Sequence, residues 1–264
     1  MTPGNPTELE PWPLAIGAVR RVWERREDWL RLAVAPVIAT FALNIWFQPY
    51  AETFFGALQP GREPDMAQIA SVQGPTFLFW AVNWLIIAVF LVNWMRALAL
   101  GNAAAPGLGL LFRRHHLRMW LSLLLFQVAM FLAFMAGISV VLLIVPSVAI
   151  VFAAATIFAI WILIVAVRLT PFWIGIAIDA PMRPREAWQR TAGQGIRLAV
   201  AFIVVSFALF FMQSLFLSLS FNLGVVDAAP LALSFISVVI QFVMFAAIGA
   251  VFVLAYPRFV SETV

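Results

Sequence analysis

The chain has 264 residues, of which 64% are hydrophobic and 11% charged, with a mean hydropathy of +1.00. Soluble domains carry about 25% charged residues, so this chain has too little charge to cover a water-exposed surface, and a soluble globular enzyme is excluded. All 16 cations are arginine and cysteine is absent, which removes disulfides, thiolate metal sites and cysteine nucleophiles, and the arginines do not gather on a soluble face as nucleic-acid binding requires.

Glu8 and Glu10 stand where a signal sequence carries its basic segment, so no cleavable signal is expected. Residues 12–28 follow with Ile16, Val19, Val22 and Trp23 at helical spacing and Arg20, Arg21, Glu24, Arg25, Glu27 and Asp28 largely opposite. This pattern predicts an amphipathic helix lying on the membrane surface. The apolar runs beyond it predict six spans, at about residues 30–48, 76–100, 119–144, 147–168, 198–221 and 231–256. The third and fourth share one uncharged stretch bounded by Arg118 and Arg168. It is more than twice the roughly 20 residues that cross a bilayer once, and Pro146 near its middle marks the break of a helical hairpin.

The expected fold is therefore all-α, a single polytopic membrane helix bundle over residues 1–264. Its six transmembrane helices form three hairpins, with cytoplasmic amphipathic surface helices. Threading the spans places every arginine but Arg62 on one side, while Glu52, Glu63, Asp65 and Asp227 fall on the other. Cytoplasmic loops are enriched in basic residues, so both termini are expected in the cytoplasm. Trp12, Trp23, Trp29, Trp94, Trp120, Trp173 and Trp188 fall near the inner interface, and Trp46, Trp80 and Trp84 near the outer one. The exclusive use of arginine suggests a GC-rich bacterial genome, and so a bacterial inner membrane.

A second surface helix is predicted over residues 184–193, opened by Pro184, carrying Glu186 in its first turn and stopped by Gly193 or Gly195. Arg183, Arg185, Trp188, Arg190 and Arg197, together with Arg113 and Arg114 of the preceding inner loop, are the residues expected to contact anionic phospholipid head groups or a protein partner. Residues 31–43 and 197–209 match at eight of thirteen positions in the same direction, which suggests a duplicated unit of surface helix and hairpin.

No charged residue lies in the middle third of any expected span, so a proton relay, an ion-coupled pump or paired-carboxylate catalysis at depth is not expected. The polar residues there include Asn44, Asn83, Asn93, Gln127, Gln213 and Gln241. Interhelical hydrogen bonding is one role for them. A polar cavity for a head group or solute, built on Gln213 and Gln241, is the other. His115 and His116 stand among arginines with no third ligand in view and are read as interfacial. Asp179, eleven residues after Arg168, is expected to pair with it locally. No HExxH, GxSxG, P-loop or GxGxxG pattern occurs, so no catalytic residue, metal or cofactor is expected.

Residues 168–200, RLTPFWIGIAIDAPMRPREAWQRTAGQGIRLAV, resemble a segment of bacterial multi-pass membrane proteins related to the membrane domain of glycerophosphodiester phosphodiesterases, with Arg168, Pro171, Ala187, Trp188 and Gly193 matching its layout. Residues 93–102, NWMRALALGN, are similar to a second feature of that family, although Asn102 stands where the family pattern has an acid. The resemblance implies a six-helix membrane module without the catalytic domain. The function expected is that of a non-enzymatic membrane protein organising anionic lipid or a membrane or cytoplasmic protein partner through its arginine-rich segments. The alternative is a transport subunit docking a cytoplasmic partner through residues 183–197, where Glu186, Ala187 and Gly193 are similar in part to the coupling motif of ATP-driven importer permeases.

Overall fold

A computed structural model of the chain describes residues 9–58, 65–101, 112–144, 147–180, 182–223 and 228–260. Glu8, Arg62, Glu63, Asn102, Pro146 and Asp227 lie outside the described residues. All regular structure among the described residues is helical, and the expected class holds. The helices are α1 (Pro11–Glu24), α2 (Arg26–Ala57), α3 (Met66–Leu100), α4 (Arg114–Ile144), α5 (Val148–Arg168), α6 (Thr170–Ala177), α7 (Pro184–Arg190), α8 (Gly195–Asn222) and α9 (Pro230–Val260). Six of them, α2, α3, α4, α5, α8 and α9, are long and apolar enough to cross a membrane. They pair in chain order as the hairpins α2–α3, α4–α5 and α8–α9.

The helices of the first hairpin overrun their predicted spans. Charge-free runs locate only the hydrocarbon crossing, whereas Glu52 in α2 and the Asp65 cap of α3 belong to the parts that leave it. Asp65 Oδ1 accepts from the backbone N–H groups of Ala67 and Gln68, both at 3.1 Å, satisfying donors that the first turn leaves open.

Burial is uneven. In α9 56% of the most apolar stretch is buried, against 0% in α4, so α9 is the central helix and α4 shows its sides to lipid. The cause is residue size. Ala246, Ala247, Gly249, Ala250 and Ala255 let neighbouring backbones approach α9 closely, the usual means of helix association without a hydrophobic driving force. A Cβ on Gly249 would stand 3.1 Å from Trp94 Cδ1. At that contact the Trp94 indole N–H donates to the Ala246 carbonyl at 2.8 Å, and Trp29 donates one turn earlier to Phe242 at 3.4 Å. Trp29, Trp94 and Trp173 are therefore core residues and not interface markers, because their polar atoms find partners inside or their rings pack there.

Three further departures from the sequence reading concern the short helices. The first surface helix ends at Glu24, and Asp28 belongs to α2 after a break at Arg25. The second ends at Arg190, followed by a turn through Gly193 at φ +76°, a backbone conformation natural to glycine. Between them lies α6, which the sequence reading does not separate from the segment, interrupted by Pro171, that links Arg168 to Asp179. Pro171 opens this helix, as proline does in a first turn, and Thr170, Pro171, Trp173, Ile174, Gly175 and Ala177 are buried against α3, α4 and α9.

Helix α1 buries Ala15 and Ala18 and brings Gly17 to Leu254 of α9, while Trp12, Ile16, Val19 and Trp23 point outward as one exposed stripe. Its ends are tied to the same end of the bundle: Leu9 N–H donates to Gln194 Oε1 at 3.3 Å, and Arg25 to the Ala97 carbonyl at 2.7 Å. The aligned pairs Leu32 and Leu198, and Ala33 and Ala199, from the two similar segments, are all buried.

Candidate functional site

The arginine-bearing ends of the helices come together, and three polar clusters join them. The first is built on the last turn of α3 and the first turn of α4. Arg96 donates to the Ala177 carbonyl and to Asp179 Oδ2, each at 2.7 Å, so one guanidinium stabilises both the end of α6 and the turn after it. His115 Nδ1 stands 3.6 Å from Asp179 Oδ1. Asp179 has φ +59°, a left-handed conformation that aspartate tolerates better than most residues. Burial raises its carboxyl pKa, but the Arg96 hydrogen bond, with the charges of His115, Arg96 and Arg118, outweighs this and holds it below the usual carboxylate range. The turn also needs Gly175, where a Cβ would stand 2.5 Å from the Ala180 carbonyl oxygen, whose own N–H donates back to Gly175 at 2.9 Å.

Behind this pair His116 is wholly buried. Arg113 N–H donates to its Nδ1 at 2.9 Å, which makes that nitrogen an acceptor and leaves Nε2–H to donate to Asn93 Oδ1 at 3.0 Å. His115 and His116 are thus buried residues, not exposed interfacial ones: His116 joins α4 to α3 through Asn93, and His115 faces the Asp179 carboxylate that Arg96 of α3 holds. Asn93 takes the interhelical role read from the sequence.

The second cluster joins α5 to α7. Arg168 donates to the Trp188 carbonyl at 2.6 Å and to Thr191 Oγ1 at 3.4 Å, and its guanidinium lies 3.6 Å over the Trp188 ring. Gly195 makes room for it, since a Cβ there would approach Arg168 Cγ to 2.9 Å. Asp179 and Arg168 are therefore not partners. The chain breaks at Leu169 and α6 carries Asp179 to Arg96 of α3, while Arg168 turns to α7. The third cluster is Arg190, which pairs with Glu186 at 2.6 Å and donates to the Phe259 carbonyl at 3.0 Å, satisfying an open acceptor at the end of α9.

Of the predicted contact residues, Trp188 and Arg190 are thus held by the fold, and Arg197 is half-buried in the first turn of α8. Arg113, Arg114, Arg183 and Arg185 are exposed, as are Arg31 and Arg118, and among the described residues none of these six has a carboxylate within ion-pair distance. Gln213 and Gln241 are half-buried and do not line the cavities described here. Gln73 and Gln127 instead line a cavity of about 590 Å³ between α2, α3 and α4, and Gln127 also borders a second one of about 240 Å³. Arg96 has a signal in the sequence, an arginine three residues after Asn93 at a span end, but only the folded chain gives it a partner 83 residues away.

Helices and clusters together define a six-helix multi-pass membrane protein with a polar, arginine-bearing end. Comparison of the chain with protein-family models, curated proteins and solved structures finds no match.

Proposed function

We propose that this is a non-enzymatic membrane-organising protein that gathers anionic phospholipid head groups at its arginine-bearing end, in a bacterial inner membrane with that end and both termini in the cytoplasm. The observation that carries the reading is the division of labour among the arginines. Arg96, Arg168 and Arg190 fix helix ends to one another, and around them Arg31, Arg113, Arg114, Arg118, Arg183 and Arg185 stand exposed without carboxylate partners among the described residues. Such cations beside an apolar bundle meet lipid phosphates at about 1 kcal/mol each. The resemblance to the membrane module of glycerophosphodiester phosphodiesterases accords with this reading, since residues 168–200 carry α6, α7 and four of the arginines named here.

The test is lipid co-purification from bilayer discs of mixed phosphatidylcholine and phosphatidylglycerol. The protein is expected to enrich phosphatidylglycerol severalfold. Replacing Arg113, Arg114, Arg183 and Arg185 together by Gln is expected to abolish most of that enrichment, and equal enrichment in the variant would overturn the proposal. Retention of a stoichiometric ATPase from native membranes would favour the transport alternative instead.

A further inference from the structure

We infer that the groove between α1 and α8 is a binding site for one anionic phospholipid, its acyl chain lying along α8 and its phosphate at Arg20. The inference rests on the lipid reading above for the class of ligand, but the site is separate from the exposed arginines of α4 and α7.

The groove encloses about 470 Å³, within the range of sites that hold small ligands, and among its walls are Trp12, Val19, Arg20 and Trp23 from α1 and Val204 and Ala208 from α8. It exists because α1 docks through its small residues, Ala15, Gly17 and Ala18, which bring its backbone close to the bundle while Trp12, Ile16, Val19 and Trp23 stay exposed along its rim. Its depth suits a lipid. Counting from Arg197 at 1.5 Å per residue, Val204 and Ala208 lie roughly 10–17 Å toward the bilayer centre, while both ends of α1 are fixed at the arginine-bearing end. The groove is therefore polar at its mouth and apolar along its length.

Charge and surroundings specify the occupant. Among the described residues Arg20 contributes the only charged side chain in the wall. Its Nε–H is engaged by Glu24 Oε1 at 2.7 Å, and Arg21 reaches the other oxygen of Glu24 at 4.0 Å, so two guanidiniums share one carboxylate and leave a net positive charge. The Arg20 side chain is 78% exposed, and its terminal N–H groups are open to a phosphate. Water is a poor occupant, because an ordered water needs two to four polar partners and the described wall is apolar apart from the Arg20 guanidinium and the indole N–H groups of Trp12 and Trp23. The groove is continuous with the exposed apolar face of α8 at Ile203 and Phe207, which lies against lipid in a membrane-spanning helix, and Trp12 and Trp23 are rings of the kind that settle at head-group depth.

The experiment uses the full chain in phosphatidylcholine discs doped with either phosphatidylglycerol or phosphatidylcholine carrying a photoactivatable acyl chain, with adducts mapped by peptide mass spectrometry. Adducts from the phosphatidylglycerol probe are expected to concentrate on residues 12–23 and 204–208. Ala208→Trp, a change at an exposed position that fills the groove, is expected to lower them more than fivefold, while Phe152→Trp, at an exposed position of α5 outside the groove, leaves them unchanged. Arg20→Gln is expected to erase the preference for phosphatidylglycerol over phosphatidylcholine. Labelling spread evenly over α4, α5 and α8, labelling indifferent to Ala208→Trp, or equal labelling by both probes in the unmodified protein would each overturn the site. Bulk phosphatidylglycerol enrichment, measured in the same discs with the four-arginine variant, tests the proposed function independently, so either result can fail while the other stands.

Discussion

The two ends of the bundle are held together by different chemistry. At the arginine-bearing end, helix termini are fixed by side chains of other elements: Arg25 on Ala97, Arg96 on Ala177 and Asp179, Arg168 on Trp188, and Arg190 on Phe259. Toward the opposite end, α2 meets its neighbours mainly through rings, with Phe47 stacked on Phe79 at 4.2 Å and Phe41 edge-on to Phe235 at 5.4 Å, and the cavity of about 590 Å³ separates α2, α3 and α4. Hydrogen bonds are directional and ring contacts tolerate sliding. The difference teaches that register is set at one end, and that the other is left free to adjust to the lipid around it.

That contrast can be broken most severely at Gly175. Gly175→Ala places a methyl group against the Ala180 carbonyl, and the turn that carries Asp179 must open, so a loss of about 3 kcal/mol is expected in thermal unfolding in detergent. Next comes the buried pair behind it. His116→Leu leaves Asn93 Oδ1 and Arg113 N–H without this partner and is expected to cost about 2 kcal/mol, with Asn93→Leu recovering part of the loss when the two are combined. At the opposite end, Phe47→Ala removes a stacked ring from a looser region and is expected to cost about 1 kcal/mol. A loss there as large as that of His116→Leu would erase the distinction between the two ends.

The smallest effect concerns pH. Asp179 has its carboxyl pKa lowered in the folded state, so its contribution is present above the unfolded value of about 3.9 and is lost as pH falls through the lower folded value. Asp179→Asn is expected to flatten the acid limb of a stability profile below about pH 4 and to leave its shape near neutrality unchanged. An acid limb of identical slope in both proteins would show that the Arg96 pair has no part in acid sensitivity.

What the sequence made legible follows from what its physics registers. Six spans, the hairpin bounded by Arg118 and Arg168, and the start of α7 at Pro184 rest on bilayer thickness, charge cost and proline geometry, all of which act locally. Helix α6 was hidden because Pro171 terminates one helix and opens another with the same residue, and a pattern of apolar residues does not tell a buried eight-residue helix from a loop. Partner choice was hidden more deeply. Asp179 lies eleven residues from Arg168 and 83 from Arg96, yet the break at Leu169 reverses which is near. The burial of His115 and His116 likewise depends on α3 having Asn93 and Arg96 at the depth where α4 begins, a coincidence of register between two helices.

Among the described helices α9 is synthesised after all the others, although it holds the middle of the bundle. The middle of the bundle is therefore complete only once the small-residue face of α9 is in place. Arg190 waits 69 residues for the carbonyl of Phe259, so the bundle is latched by its last turn.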